Sequence, residues 1–233
     1  MFTLFCISYA GGNAKYFFDL KKELSCHSIR VLPIEYAGHG MRSNEEAYHS
    51  FNDMSEDVFD IIKENYVENS IIFGYSMGAL VAYDIINRLF TEKMRNELFH
   101  FFVAAHEPPN IPFRGSMYAH CDKEELLSGM INMGGISNQL LSNKRFLNIY
   151  LKRIKADYNL INDYKWDGIY KKLPCGITAF YSENDTPASN MVQWERFTSK
   201  DIDMYDMSGG HFFLDQNLMK ISEIIKNTIG NIQ

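Results

Sequence analysis

Six short apolar runs punctuate the chain, near residues 2–8, 29–35, 70–74, 99–105, 175–181 and 201–206. Each is short enough, and rich enough in Phe, Ile, Val and Tyr, to predict a strand. Between them apolar positions recur at helical spacing near 14–25, 50–65, 77–90, 188–199 and 215–228. Strands alternating with helices predict βαβ units and a mostly parallel central sheet flanked by helices, an α/β fold. The alternation stops between about 112 and 166, where no convincing strand occurs. Glu124–Met133, Lys144–Asp157 and Tyr158–Tyr164 instead predict short helices with apolar faces. A helical insertion between two strands is expected to cover a site at the sheet edge as a lid.

Composition supports one compact domain over residues 1–233, with 46% apolar residues and enough length to bury a substantial core. A net charge of −6, with no basic cluster interleaved with aromatics, argues against nucleic-acid binding. The N-terminus lacks the regions of a signal peptide, and no apolar run approaches the roughly 20 residues needed to span a membrane. Cys6, Cys26, Cys121 and Cys175 show neither metal-ligand spacing nor a disulfide framework. Cys6 and Cys175 fall in strand patterns and are expected to be small core residues. A reduced, cytoplasmic protein is the expectation.

The strand near 70–74 runs into Gly74-Tyr75-Ser76-Met77-Gly78, and a helical pattern follows. This is G-x-S-x-G in the strand–turn–helix context of a nucleophile elbow. The serine of such an elbow sits in a strained turn with neighbouring backbone pressed close, so glycines two positions before and after avoid Cβ clashes. The turn lifts the hydroxyl onto a helix N-terminus, where free N–H groups favour negative charge.

A nucleophilic serine needs a base, and the base needs an acid to orient it. Of seven histidines, His211 follows a late strand and a Gly-Gly turn in Ser208-Gly209-Gly210-His211. The acid should lie between serine and histidine in sequence. Asp185 does, in a polar turn after the strand near 175–181, on the edge where ligands gather in open α/β sheets. Glu183, Asp201, Asp203 and Asp206 compete with it; Asp203 and Asp206 lie within or at the end of a strand and are expected to face solvent. An oxyanion hole would use the N–H of Met77 and one from Tyr9-Ala10-Gly11-Gly12-Asn13 after the first strand, with Ala10 the expected donor and Gly11 the alternative.

These motifs carry a resemblance. Tyr9-Ala10-Gly11-Gly12-Asn13, Gly38-His39-Gly40-Met41-Arg42, Gly74-Tyr75-Ser76-Met77-Gly78-Ala79, Gly134-Gly135, Ile154-Lys155-Ala156-Asp157-Tyr158 and Gly210-His211-Phe212-Phe213-Leu214 stand in the order and near the spacing of the type II thioesterases. Those are the stand-alone editing hydrolases that accompany nonribosomal peptide and polyketide synthetases. The resemblance implies an α/β-hydrolase fold with a Ser76–Asp185–His211 triad, and neither metal nor organic cofactor. It implies a carrier protein with a phosphopantetheine thioester as partner, and a monomer is expected. His39 departs from the family's usual arginine, Tyr75 from its usual histidine and Gly210 from a small or acidic residue. Pro187 falls one position later than the family's proline after the aspartate. Within the predicted lid, most apolar residues are expected to pack onto the core, with a minority lining an acyl channel. Lys144, Arg145, Lys152, Arg153 and Lys155 form a candidate basic docking face. An acyl-CoA or medium-chain fatty-acyl thioesterase, a general carboxylesterase and a non-catalytic binding protein remain alternatives.

Overall fold

The structure, a computed structural model, describes residues 1–25, 27–67, 69–91 and 98–232. Cys26 lies outside the described residues. Six strands, β1 (Phe2–Ile7), β2 (Ile29–Pro33), β3 (Ser70–Tyr75), β4 (Leu98–Ala104), β5 (Gly176–Tyr181) and β6 (Ile202–Asp206), pair in the order β2-β1-β3-β4-β5-β6. Every pairing is parallel. β1 and β3 are buried at every residue, the pattern of parallel strands covered on both faces. β2 ends in Pro33, which its edge position tolerates because one side needs no ladder donor.

Alternate strand residues feed two cores. Phe5, Ile7, Ile72, Phe101 and Ile177 face one way and pack against α2 (Phe51–Asn65) and α3 (Met77–Thr91). Leu4, Cys6, Ile71, Phe73 and Phe180 face the other way, against α1 (Phe18–Leu24) and the C-terminal helix Leu218–Ile232. α2 shows why such a segment is helical. Ser50 accepts the Asp53 N–H at 3.1 Å as N-cap, a feature worth about 1 kcal/mol. Phe51, Met54, Val58 and Ile62 then recur on one buried face. α3 is apolar almost all round because it lies between the sheet and α2.

Between β4 and β5 the chain forms α4 (Met117–His120), α5 (Lys123–Asn132), α6 (Asn138–Ser142) and α7 (Lys144–Asp163). The two helices predicted at Lys144–Asp157 and Tyr158–Tyr164 are one. Nothing in Ala156-Asp157-Tyr158-Asn159 breaks the turn, and Leu147, Leu151, Ile154, Tyr158 and Ile161 keep an unbroken 4-3-4-3 buried spacing. The helix predicted around 188–199 is a short α8 (Ala188–Met191) followed by a 3₁₀ segment, Val192–Phe197. The C-terminal helix is α9. The region predicted as helix at 14–25 begins with a 3₁₀ turn, Ala14–Phe17, before α1.

The sheet order reverses direction between β1 and β3, a topological switch point where the strand ends open a crevice. Ile7 pairs with Gly74, so the loop after β1 and the turn after β3 leave the sheet side by side.

Candidate active site

Ser76 sits at φ 53°, in the left-handed region that costs a non-glycine residue about 1–3 kcal/mol. Its surroundings hold it there. The Ser76 N–H donates to Ala104 O at 2.8 Å, and Ser76 O accepts the Ala79 N–H at 2.8 Å as α3 begins. The two flanking glycines are required by contact. A Cβ on Gly78 would lie 2.1 Å from Ile7 O, and one on Gly74 would lie 2.5 Å from Ala79 Cα. Both obstacles are backbone and cannot swing away.

His211 reaches Ser76 from the loop after β6. Its Nε2 lies 2.9 Å from Ser76 Oγ, and its Nδ1 lies 2.8 Å from Asp185 Oδ2. With Nδ1 protonated and donating to the carboxylate, Nε2 is free to accept from the serine hydroxyl. Asp185 stands in the turn after β5, closed by its own N–H donating to Ser182 O at 2.9 Å. Ser182 Oγ donates to Gly209 O at 2.5 Å, tying the Asp185 turn to the His211 loop. Asn217 braces that loop again through Ser208 O at 2.8 Å and Phe213 O at 2.7 Å. The competing carboxylates are elsewhere. Glu183 is exposed and accepts the Ala188 N–H at 3.1 Å, and Asp201, Asp203 and Asp206 are exposed.

Tyr75 has a role the sequence alone did not reveal. The phenol is fully buried, donates to His211 O at 2.6 Å and accepts the Phe213 N–H at 3.0 Å. Burial pushes its hydroxyl far above the usual tyrosine range, so it remains a donor at all working pH values. The residue beside Ser76 thus grips the backbone on which His211 is mounted. Tyr75→Phe strands a half-buried carbonyl and a buried N–H, each loss costing up to about 1–3 kcal/mol. The expected result is a melting temperature lower by at least about 2–4 °C. Thermal denaturation of the two proteins side by side checks it; equal melting temperatures would show that the bridge contributes nothing.

The N–H groups of Met77 and Ala10 donate to no protein acceptor among the described residues. Gly11 N–H donates to Asp157 Oδ2 at 2.6 Å.

Ser76, Asp185 and His211 line a cavity of about 200 Å³ roofed by Phe113, Met117 and Tyr158 of the insertion. His106 lines it too. Its Nδ1 donates to Glu107 O at 2.5 Å, and burial lowers its imidazole to about 4, so the ring is neutral at pH 7. Its ring stacks on Phe113 at an interplanar angle of 7°. Arg114 bridges insertion and site, donating to Asp185 O at 2.8 Å and pairing with buried Glu107 at 2.9 Å. A larger cleft, about 870 Å³, lies against Asp84, Asn87, Arg88 and Thr91 of α3 and contains none of these groups. Among the described residues no three His, Cys, Asp or Glu side chains cluster as metal ligands, and no helix is long and apolar enough to cross a membrane.

A parallel sheet with a serine elbow after its third strand and a histidine loop after its last defines an α/β hydrolase. Within that class the chain belongs to the thioesterase-domain family, whose model matches residues 2–229. The chain is 27% identical over 235 residues to a Brevibacillus parabrevis protein named linear gramicidin dehydrogenase LgrE, covering 97% of this chain and 87% of the relative. It is 26% identical over 224 residues to the gramicidin S biosynthesis protein GrsT of Aneurinibacillus migulanus, covering 95% and 86%. The fold also matches the crystal structure of ClbQ from the colibactin NRPS/PKS pathway, with a TM-score of 0.89 at 22% identity, over 99% and 98% of the two chains.

Proposed function

We propose that this thioesterase removes acyl groups from the phosphopantetheine arm of carrier proteins, with Ser76 as nucleophile, His211 as base and Asp185 as the orienting acid. The observation that carries the reading is the unbroken hydrogen-bonded chain from Asp185 through His211 to Ser76, opening into one cavity. His211 Nε2 takes the Ser76 proton as Oγ attacks the acyl carbon. The Met77 and Ala10 N–H groups receive the oxyanion; losing one such donor costs roughly 3–4 kcal/mol of barrier. Collapse breaks the C–S bond, and the imidazolium returns the proton to the departing thiolate. Water then attacks the acyl-serine with His211 again as base, and a free acid leaves. Every group in these steps belongs to one chain, so a monomer suffices. Free Cys6, Cys121 and Cys175 fit a reducing cytoplasm.

The carrier-protein part draws on the sequence resemblance and on relatives such as GrsT, named for gramicidin S biosynthesis. The helical insertion is read as the lid. Exposed Lys144, Arg145 and Lys152 on α7 are the candidate docking face. The test compares one acyl group on a carrier protein, on CoA and on p-nitrophenol. The triad sees the same thioester in the first two, so a higher kcat/KM on the carrier must come from remote contacts. Lys144→Glu with Lys152→Glu is expected to lower carrier-protein kcat/KM several-fold, consistent with about 0.2–1 kcal/mol per exposed pair, and to leave the p-nitrophenyl ester unaffected. Equal efficiency on carrier and CoA, insensitive to both substitutions, would identify a plain acyl-CoA hydrolase.

A further inference from the structure

A buried histidine–carboxylate contact beside the loop after β1 has no part in the steps above. Asp157, on α7, is 3% exposed. Its Oδ2 accepts the Gly11 N–H at 2.6 Å and lies 2.9 Å from His39 Nε2. Three residues earlier on the same helical face, Ile154 stands directly on Gly11. A Cβ built at Gly11 would lie 2.2 Å from Ile154 Cγ1, and the glycine holds φ at +77°. One turn of the lid helix is therefore seated on the residue that follows Ala10, the proposed oxyanion donor. His39 anchors the carboxylate from the other side. Its Nδ1 lies 2.9 Å from Ala37 O while Nε2 faces Asp157, so both ring nitrogens meet acceptors.

We propose that Asp157 is a positioning residue for the oxyanion site, holding the Ala10–Gly11 loop from the lid, so that the site is complete only while α7 is seated. The inference rests on the reading of Ala10 and Met77 as oxyanion donors. With Gly11 N–H bound by Asp157, the adjacent peptide is fixed and the Ala10 N–H stays free for substrate. Lifting α7 to admit an acyl group withdraws both the carboxylate and Ile154 from the loop. Reaction then waits for the lid to return, which couples closure to assembly of the donors.

The test uses Asp157→Ala and Asp157→Asn in the full chain with a p-nitrophenyl acyl ester. In Asp157→Asn the amide oxygen still accepts from Gly11, and its NH₂ takes the place of the oxygen that faces His39 Nε2. In Asp157→Ala nothing accepts. The expected result for Asp157→Ala is kcat lower by about 10- to 100-fold with KM little changed, the scale of a displacement of about 1 Å in a catalytic group. Asp157→Asn should recover most of the loss. Amide hydrogen exchange at Gly11 should accelerate in Asp157→Ala and not in Asp157→Asn. Removing one member of a buried pair can unfold a protein. If Asp157→Ala does so, the double variant His39→Leu with Asp157→Leu replaces the pair as a unit and should show the same loss of kcat. Wild-type kcat in folded Asp157→Ala, or in the folded double Leu variant, overturns the inference, as does an equal loss in the Ala and Asn variants with KM rising in step. Ser76→Ala run alongside separates the two readings. Turnover by Ser76→Ala overturns the triad itself, whereas an inactive Ser76→Ala beside a fully active Asp157→Ala overturns only the role of Asp157.

Discussion

Ser76→Ala is expected to reduce hydrolysis of any acyl substrate by about a millionfold, to a residue of catalysis from the oxyanion donors alone. Labelling by a fluorophosphonate probe should vanish with it. The fold should survive, because the turn at φ 53° is held by main-chain bonds from Ser76 N–H to Ala104 O and from Ala79 N–H to Ser76 O, and the substitution leaves both in place. Only the 2.9 Å contact with His211 Nε2 is lost. Circular dichroism and a thermal melt show whether the fold is kept, and steady-state kinetics with active-site titration shows whether the activity is. A folded Ser76→Ala protein that still turns over would place the nucleophile elsewhere.

The strands were legible because parallel strands covered on both faces read as continuous apolar runs, as in Phe2–Ile7 and Ser70–Tyr75. The elbow was legible because its requirement is local: Gly74 and Gly78 exclude Cβ atoms from places already filled by Ala79 and Ile7. Order and loop position single out His211 and Asp185 as candidates, and the structure brings His211 to Ser76 and Asp185 to His211. The segments predicted as two helices at Lys144–Asp157 and Tyr158–Tyr164 join into α7 because no residue between them breaks the helix. Contacts across long sequence distances left no trace. Asp157 meets Gly11 across 146 residues, and Tyr75 meets His211 across 136. Asp157 looked like one turn of an amphipathic lid helix, and Tyr75 like a departure from a motif. His39 could be seen to replace a cation, but not to face a buried carboxylate. Arg114, exposed and in a segment without periodicity, gave no hint that it would hold the carbonyl of Asp185. Sequence patterns record which face of an element is buried; they do not record which partner a polar side chain finds there.

The acid carries the other large effect. Asp185→Asn is expected to lower kcat by about 10³- to 10⁴-fold with little change in KM. The reason lies in what Asp185 does for the ring in the proposed mechanism. At 2.8 Å from Nδ1 its carboxylate would fix the tautomer that leaves Nε2 unprotonated and facing Ser76. It would also offset the positive charge on the ring once the serine proton is taken. An amide of the same shape can turn its NH₂ toward Nδ1, which stabilises the tautomer with the proton on Nε2 and removes the base. Even in the productive orientation it brings no negative charge to the imidazolium. The rival carboxylates supply the control. Glu183 is exposed and caps the Ala188 N–H at 3.1 Å, and Asp206 is exposed at the end of β6. Neither reaches the ring, so Glu183→Gln and Asp206→Asn are expected to change kcat by less than about threefold, in line with small effects of surface substitutions. Kinetics of the three variants at one pH, followed by pH profiles of kcat, distinguishes the candidates. A crippled Asp206→Asn beside an active Asp185→Asn would move the acid to the end of β6 and leave the observed Asp185–His211 contact without a catalytic role.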